Sequence, residues 1–185
     1  MPLMILAHPK YEQSIANKTI VEELKNSSID LEIRNIYQLN QNYNIDINSE
    51  QEALLRHDLI ILQYPMYWFN MPAILKIWFD QVFTYQFAYG SKGNKLKNKR
   101  LLPSLTIGQP EKNFKQDNNP FLIDSFLKSI KKSAEYSQMK YIEPVILYDI
   151  ATVSGHSEHE IKEKAKTHSE SLQRVIENNI YTQLT

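Results

Sequence analysis

Three stretches of this chain carry side chains suited to holding a charged, flat ligand. The first is His8-Pro9-Lys10-Tyr11-Glu12-Gln13-Ser14-Ile15-Ala16-Asn17, which runs from an apolar segment into residues of helical spacing. A helix start presents backbone N–H groups without intrahelical partners and the positive end of the helix dipole. With the Ser14 hydroxyl and the Asn17 side chain beside them, these groups suit a phosphate. Read alone, Ser14 is an ordinary helix cap and His8 a polar residue at a strand end. The stretch has no glycine, so neither the G-x-G-x-x-G nor the G-x-x-x-x-G-K-S/T phosphate loop applies, and a tightly held NAD is not expected.

The second stretch follows the apolar run Leu59 to Leu62, where Tyr67, Trp68 and Phe69 stand together on the loop. Rings gathered at a strand end make a wall for a planar cofactor, or else a hydrophobic corner sealed by the next helix. The third, Thr106-Ile107-Gly108-Gln109-Pro110, puts a glycine at the end of another apolar run. There backbone N–H groups can approach the polar edge of a ring, although an ordinary turn has the same composition.

The elements that position these stretches alternate. Apolar Leu3 to Ala7 predicts a strand, and Ile15, Ile20, Val21 and Leu24 predict a helix capped by Ser14. Leu31 to Ile36 alternates as a half-exposed edge strand does, Asn40 to Asn48 is loop, and Ser49 to His57 opens like a capping box. Pro72 begins a largely buried helix through Ile74, Leu75, Trp78, Phe79, Val82 and Phe83. Leu101 to Ile107 is a strand and Phe121 to Gln138 a helix. Tyr141 to Leu147 is a fifth strand with Pro144 at an edge or bulge, before a closing helix through Ile161, Ala165, Leu172, Val175 and Ile176. Five strands alternating with helices predict a flavodoxin-like α/β three-layer sandwich with a five-stranded parallel sheet, order 2-1-3-4-5. The switch point then lies between the first and third strands, so the first two stretches face one crevice.

Composition narrows the chemistry. The 185 residues, 42% hydrophobic, suit a single domain spanning 1–185. With 21 basic and 21 acidic side chains, the balance disfavours nucleic acid or an anionic membrane as partner and points to small molecules or proteins. There is no cysteine, so redox chemistry must come from a cofactor. The N-terminal residues read as a strand rather than a signal segment, and a cytoplasmic location is expected. His156, His159 and His168 lack the paired spacing of a zinc site and read as surface residues, with no metal expected. Lys92, Lys95, Lys97, Lys99 and Arg100 form a basic cluster, either a solvated loop or a contact for a dinucleotide phosphate or an acidic partner.

His8-Pro9, Ser14 to Asn17, Tyr64-Pro65-Met66-Tyr67-Trp68-Phe69, Pro72 to Lys76, Trp78-Phe79-Asp80 and Phe87-Ala88-Tyr89-Gly90 resemble the flavodoxin-like NAD(P)H:quinone oxidoreductases. The likeness is to the short bacterial FMN-dependent members, including ancillary subunits of glutathione-gated potassium efflux systems. The resemblance implies FMN, with FAD as an alternative, its phosphate on His8, Ser14, Ile15, Ala16 and Asn17. Its ring would lie along Pro65, Met66, Tyr67, Trp68 and Phe69 and along Thr106, Ile107, Gly108 and Gln109. It also implies NADH or NADPH as hydride donor, a quinone or related electrophile as acceptor in a ping-pong cycle, a pocket formed by Tyr67, Phe69 and Phe114, and a homodimer. The catalytic hydride is carried by flavin N5, with no catalytic side chain assigned. Ile107 and Gln109 depart from the family's Thr-Thr-Gly-Gly, Phe114 stands for its tyrosine, and Tyr67 stands where many members carry Gln. The alternative role is a flavin-binding subunit docked on a potassium efflux transporter, with incidental reductase activity.

Overall fold

The computed structural model describes residues 1–115 and 122–181. Its strands are β1 (Leu3–Leu6), β2 (Glu32–Asn35), β3 (Leu59–Pro65), β4 (Arg100–Thr106), β5 (Lys140–Tyr141) and β6 (Val145–Leu147). Its α-helices are α1 (Ile15–Asn26), α2 (Ile36–Leu39), α3 (Ile47–Arg56), α4 (Ala73–Val82), α5 (Leu122–Tyr136) and α6 (Glu158–Tyr181). The sheet is parallel, in the order β2-β1-β3-β4-β5, with β6 also paired to β4. The flavodoxin-like order expected from the alternation is therefore the one observed.

Side-chain alternation builds the three layers. Leu3, Ile5, Ile60, Leu62, Leu101 and Leu105 pack with Leu54 of α3, Trp78 of α4 and Leu127 of α5. Met4, Leu6, Leu59, Ile61 and Leu102 pack on the other side with Ile20 and Leu24 of α1 and Ile161 and Leu172 of α6. Successive strand residues point to opposite faces, so one run fills two cores. β3 and β4 are buried along their whole length, whereas β2 is half-buried, as a sheet edge should be.

Three boundaries differ from expectation. The predicted fifth strand is two short pieces interrupted between Tyr141 and Val145, because Pro144 has no N–H to give to a ladder. The third helix starts at Ile47 rather than Ser49, with Asp46 accepting a hydrogen bond from the Ser49 N–H. Asp46 is thus the cap that Ser49 was expected to be. Within the segment expected to be loop, 41–43 forms a tight turn in which Asn42 and Tyr43 have φ angles of 55° and 61°, preceded by α2. Phe121, the expected first residue of α5, lies outside the described residues.

Candidate functional site

Register brings the three chemically unusual loops to one end of the sheet. Leu6 lies beside Gln63, and Pro65 lies beside Thr106. The Ala7 N–H donates to the Gln63 carbonyl at 2.9 Å and the Met66 N–H to the Thr106 carbonyl at 2.9 Å, which carries the pairing into the loops. His8 and Tyr67 then meet edge to face, with ring centroids 6.2 Å apart, joining the first loop to the second. This is the crevice outside the carboxyl ends of β1 and β3, where open parallel sheets bind ligands.

The first loop is a set of donors. Ser14 caps α1: its Oγ accepts from the Asn17 backbone N–H at 3.1 Å and from Asn17 Nδ2 at 3.1 Å. With both bonds accepted, the Ser14 O–H is left to donate outward. The Lys18 N–H takes the Ser14 carbonyl, so by helix geometry Ile15 and Ala16 present the N–H groups without intrahelical acceptors. His8 is buried and its Nδ1 accepts from the Lys10 N–H at 3.1 Å, which makes Nε2 the protonated nitrogen. Burial holds the His8 pKa down at about 4, so the ring is neutral near pH 7. A neutral N–H, a hydroxyl and two backbone N–H groups at a helix start match the oxygens of a phosphate. Asn17, expected to add a donor to the ligand, is 1% exposed and spends its amide inside the protein.

The second loop holds its rings in a strained turn. Tyr67 and Asn70 exchange backbone hydrogen bonds of 2.9 and 3.0 Å around Trp68 and Phe69, whose φ angles are 48° and 61°. A two-residue hairpin with both φ positive normally takes Asn-Gly, because side chains with a Cβ are disfavoured there. Trp68 is 93% exposed, so no packing in the chain compensates for the strain at that position. Conformational cost concentrated at ring-bearing residues is the pattern of a site held ready for a ligand. Replacing Trp68 with Asn is expected to leave stability unchanged or raise it by up to about 1 kcal/mol, since Asn tolerates this conformation. The same change should weaken flavin binding; thermal melts and flavin titration of the variant check both halves.

The third loop adjoins β6. The Ile107 N–H donates to the Leu147 carbonyl at 2.7 Å, and Asp149 N–H to the Gln109 carbonyl at 3.0 Å. Ile107 is buried in the core, whereas Gln109 is exposed. Phe69 lies 5.1 Å from Phe126 and 6.5 Å from Phe114, and Phe114 lies 5.6 Å from Tyr148. The structure therefore brings Phe69 and Phe114 together. Phe114 is only 3% exposed, so it supports the aromatic wall from within.

A buried polar set lies behind the loops, and sequence reading missed it. On the α1/α6 face of the sheet, apolar alternation stops after Ile61 and Leu102, and the next inward residues are Gln63, Ser104 and Thr106, all fully or nearly fully buried. Asn17 Nδ2 donates to Thr106 Oγ1 at 2.9 Å, Gln63 Nε2 to Asn17 Oδ1 at 2.9 Å, and Ser104 Oγ to Gln63 Oε1 at 2.7 Å. Ser104 Oγ also lies 2.9 Å from His168 Nε2 of α6. Three polar residues at successive inward positions of otherwise apolar strands were the available signal.

His168 is therefore not the surface residue expected; it is 5% exposed, and burial lowers its pKa to about 4. The unfolded chain takes up a proton at about 6.5 that the folded chain refuses until about 4. Stability is thus complete above the higher value and falls as pH drops through this window. His168 alone is expected to remove up to about 3 kcal/mol by pH 4, with His8 acting in the same direction; urea unfolding at pH 7 and pH 4 measures it. The other two histidines behave differently: His156 contacts Asp149 at 2.8 Å, and His159 is exposed. The basic cluster also divides. Lys99 is buried and donates to the His57 carbonyl at 2.7 Å, and Arg100 reaches the Asn179 carbonyl. Both sit at the start of β4, the full length of the strand away from the crevice, and hold the opposite end of the sheet together.

Comparison with known proteins agrees with this fold. A family model described as a flavodoxin-like fold matches residues 2–172. The chain belongs to that family. It is similar, at 30% identity and TM-score 0.81, to the crystal structure described as a thermophilic tryptophan halogenase from Streptomycin violaceusniger, covering 91% of this chain and 96% of that one. It is also similar to general stress protein 14 of Treponema denticola, solved in complex with FMN, at 28% identity and TM-score 0.82, covering 94% and 98% of the two chains. An NADPH-quinone reductase from P. pentosaceus shares the fold at 24% identity and TM-score 0.73, covering 92% and 96%. Among the described residues, no helix is long and apolar enough to cross a membrane.

Proposed function

We propose that this flavodoxin-like protein binds FMN in the crevice between the β1 and β3 tips and works as an NAD(P)H:quinone oxidoreductase. The observation that carries the reading is the donor set of the first loop: His8 Nε2, the Ser14 O–H and the Ile15 and Ala16 N–H groups. The FMN complex of the 28% identical Treponema denticola protein supports the choice of cofactor. The quinone acceptor rests on the motif likeness of the Tyr64 to Phe69 and Pro72 to Asp80 segments.

When bound, FMN supplies acceptance of a hydride from a nicotinamide and its delivery to a second substrate. The chain's own residues bind and orient. The helix start and Ser14 hold the phosphate, while Tyr67, Trp68 and Phe69 offer faces on which planar rings stack. The Thr106 hydroxyl, which accepts from Asn17, keeps its own hydrogen for a ring acceptor. One crevice receives donor and acceptor in turn, which is the basis of the ping-pong order.

The test is anaerobic mixing of the flavin-loaded protein with NADH or NADPH, followed by a quinone. Bleaching by the nicotinamide and return of colour with the quinone are expected, with parallel lines in initial-rate plots. Absence of bleaching by either nicotinamide would overturn the assignment. Slow return of colour with every quinone tried would favour the transporter-subunit role instead.

A further inference from the structure

The buried polar set can be hydrogen-bonded in two self-consistent directions. In one, Ser104 spends its single hydrogen on Gln63 Oε1 and so accepts at His168 Nε2, while Gln63 Nε2 donates to Asn17 Oδ1 and Asn17 Nδ2 donates to both Ser14 Oγ and Thr106 Oγ1. Both terminal hydroxyls then accept within the protein and keep their O–H groups for the crevice. In the reverse direction, Ser14 and Thr106 would donate inward to the asparagine oxygen and Ser104 would donate to His168. The crevice would then meet lone pairs, which repel a phosphate and an electron-rich ring acceptor.

We propose that His168 is a positioning residue: by holding its proton on Nε2, it sets the direction of the relay through Ser104, Gln63 and Asn17, so that Ser14 and Thr106 present donors to the crevice. The identity of the crevice ligand as FMN rests on the function proposed above, whereas the direction of the relay does not. Three burials fit this role: Asn17 is 1% exposed and Gln63 and Ser104 0%, so solvent is not available to satisfy an inner member whose direction is wrong. His168 also lines a groove of about 360 Å3 with Leu147, Tyr148, Lys164 and Ser171. A hydrogen bond accepted at Nδ1 keeps the proton on Nε2.

The relay is tested first without any flavin, by nitrogen-15 NMR of the histidine rings in the full chain at neutral pH. The expected result is a neutral His168 with its proton on Nε2 and slow exchange of that proton; a proton on Nδ1 would overturn the proposal. The second arm compares His168→Gln, which can still donate to Ser104, with His168→Glu, whose carboxylate only accepts when ionised. Fluorescence titration should find His168→Gln within about threefold of the parent and His168→Glu weakened by about tenfold for FMN. Riboflavin should be weakened by His168→Glu as well, because the Thr106 donor is lost along with the Ser14 donor. A loss confined to FMN would reflect charge repulsion of the phosphate and would overturn the relay. Equal affinities of the two folded variants would do the same. Should His168→Glu fail to fold, the tautomer and a His168→Gln affinity more than tenfold below the parent remain able to reject the proposal. A parent protein that binds no flavin would overturn the FMN reading and leave the tautomer to decide the relay.

Discussion

Replacing Ser14 with alanine is expected to weaken FMN binding by roughly 10- to 100-fold, the usual range for losing one hydrogen bond to a charged group. The side chain has two tasks in the structure. It caps α1 by accepting from the Asn17 N–H, and in the function proposed above its own hydrogen goes to a phosphate oxygen. Riboflavin, which has no phosphate, should lose far less affinity than FMN, and this difference separates phosphate binding from general damage. Loss of the cap is expected to lower stability by about 1 kcal/mol, a small change beside the loss of affinity. Fluorescence titrations with the two flavins and a denaturant curve give all three numbers. Equal weakening of FMN and riboflavin would place the phosphate elsewhere.

The largest effect on folding is expected at Glu50. This carboxylate is 1% exposed; it takes Arg34 Nη2 at 2.7 Å and Nε at 3.1 Å on one oxygen and Trp78 Nε1 at 3.0 Å on the other. Trp78 is the largest fully buried side chain, so the ion pair anchors α4 to β2 and α3 through the first core. Changing Glu50 to Ala removes the buried carboxylate partner of Arg34, which keeps only Ser49 Oγ at 2.8 Å and Glu32 at 3.6 Å, and leaves an indole N–H without an acceptor. Such losses cost about 3–5 kcal/mol. For a chain of this length, that corresponds to a fall in melting temperature of about 10 °C or more. A melting temperature within a degree or two of the parent would show that the pair contributes nothing net.

The layers and the strand order were legible because each element announced its partner. Continuous apolar runs at Leu59 to Leu62 and Leu101 to Leu105 marked central strands, alternation at Leu31 to Ile36 marked an edge, and crossover helices forced parallel pairing. The ends of elements were less legible, since Asp46 competes with Ser49 as a cap and only backbone geometry decides between them. At the crevice, the three loops were visible from residue type, and they do meet. The turn at Trp68 and Phe69 was not foreseeable, because nothing in two aromatic residues calls for a conformation that favours Asn and Gly. The fate of Asn17 and His168 was hidden for a related reason. A polar side chain on a helix reads as exposed or ligand-binding until its register against the sheet is known. Here both point toward Gln63 and Ser104, whose places in apolar strands were the one clue to a buried network.

The most direct measurement is the absorption spectrum of the purified protein after incubation with excess FMN and removal of free flavin by gel filtration. A flavin held in the crevice predicts a yellow protein carrying one FMN per chain, with its fluorescence quenched by the neighbouring rings. Protein that leaves the column colourless would contradict the account.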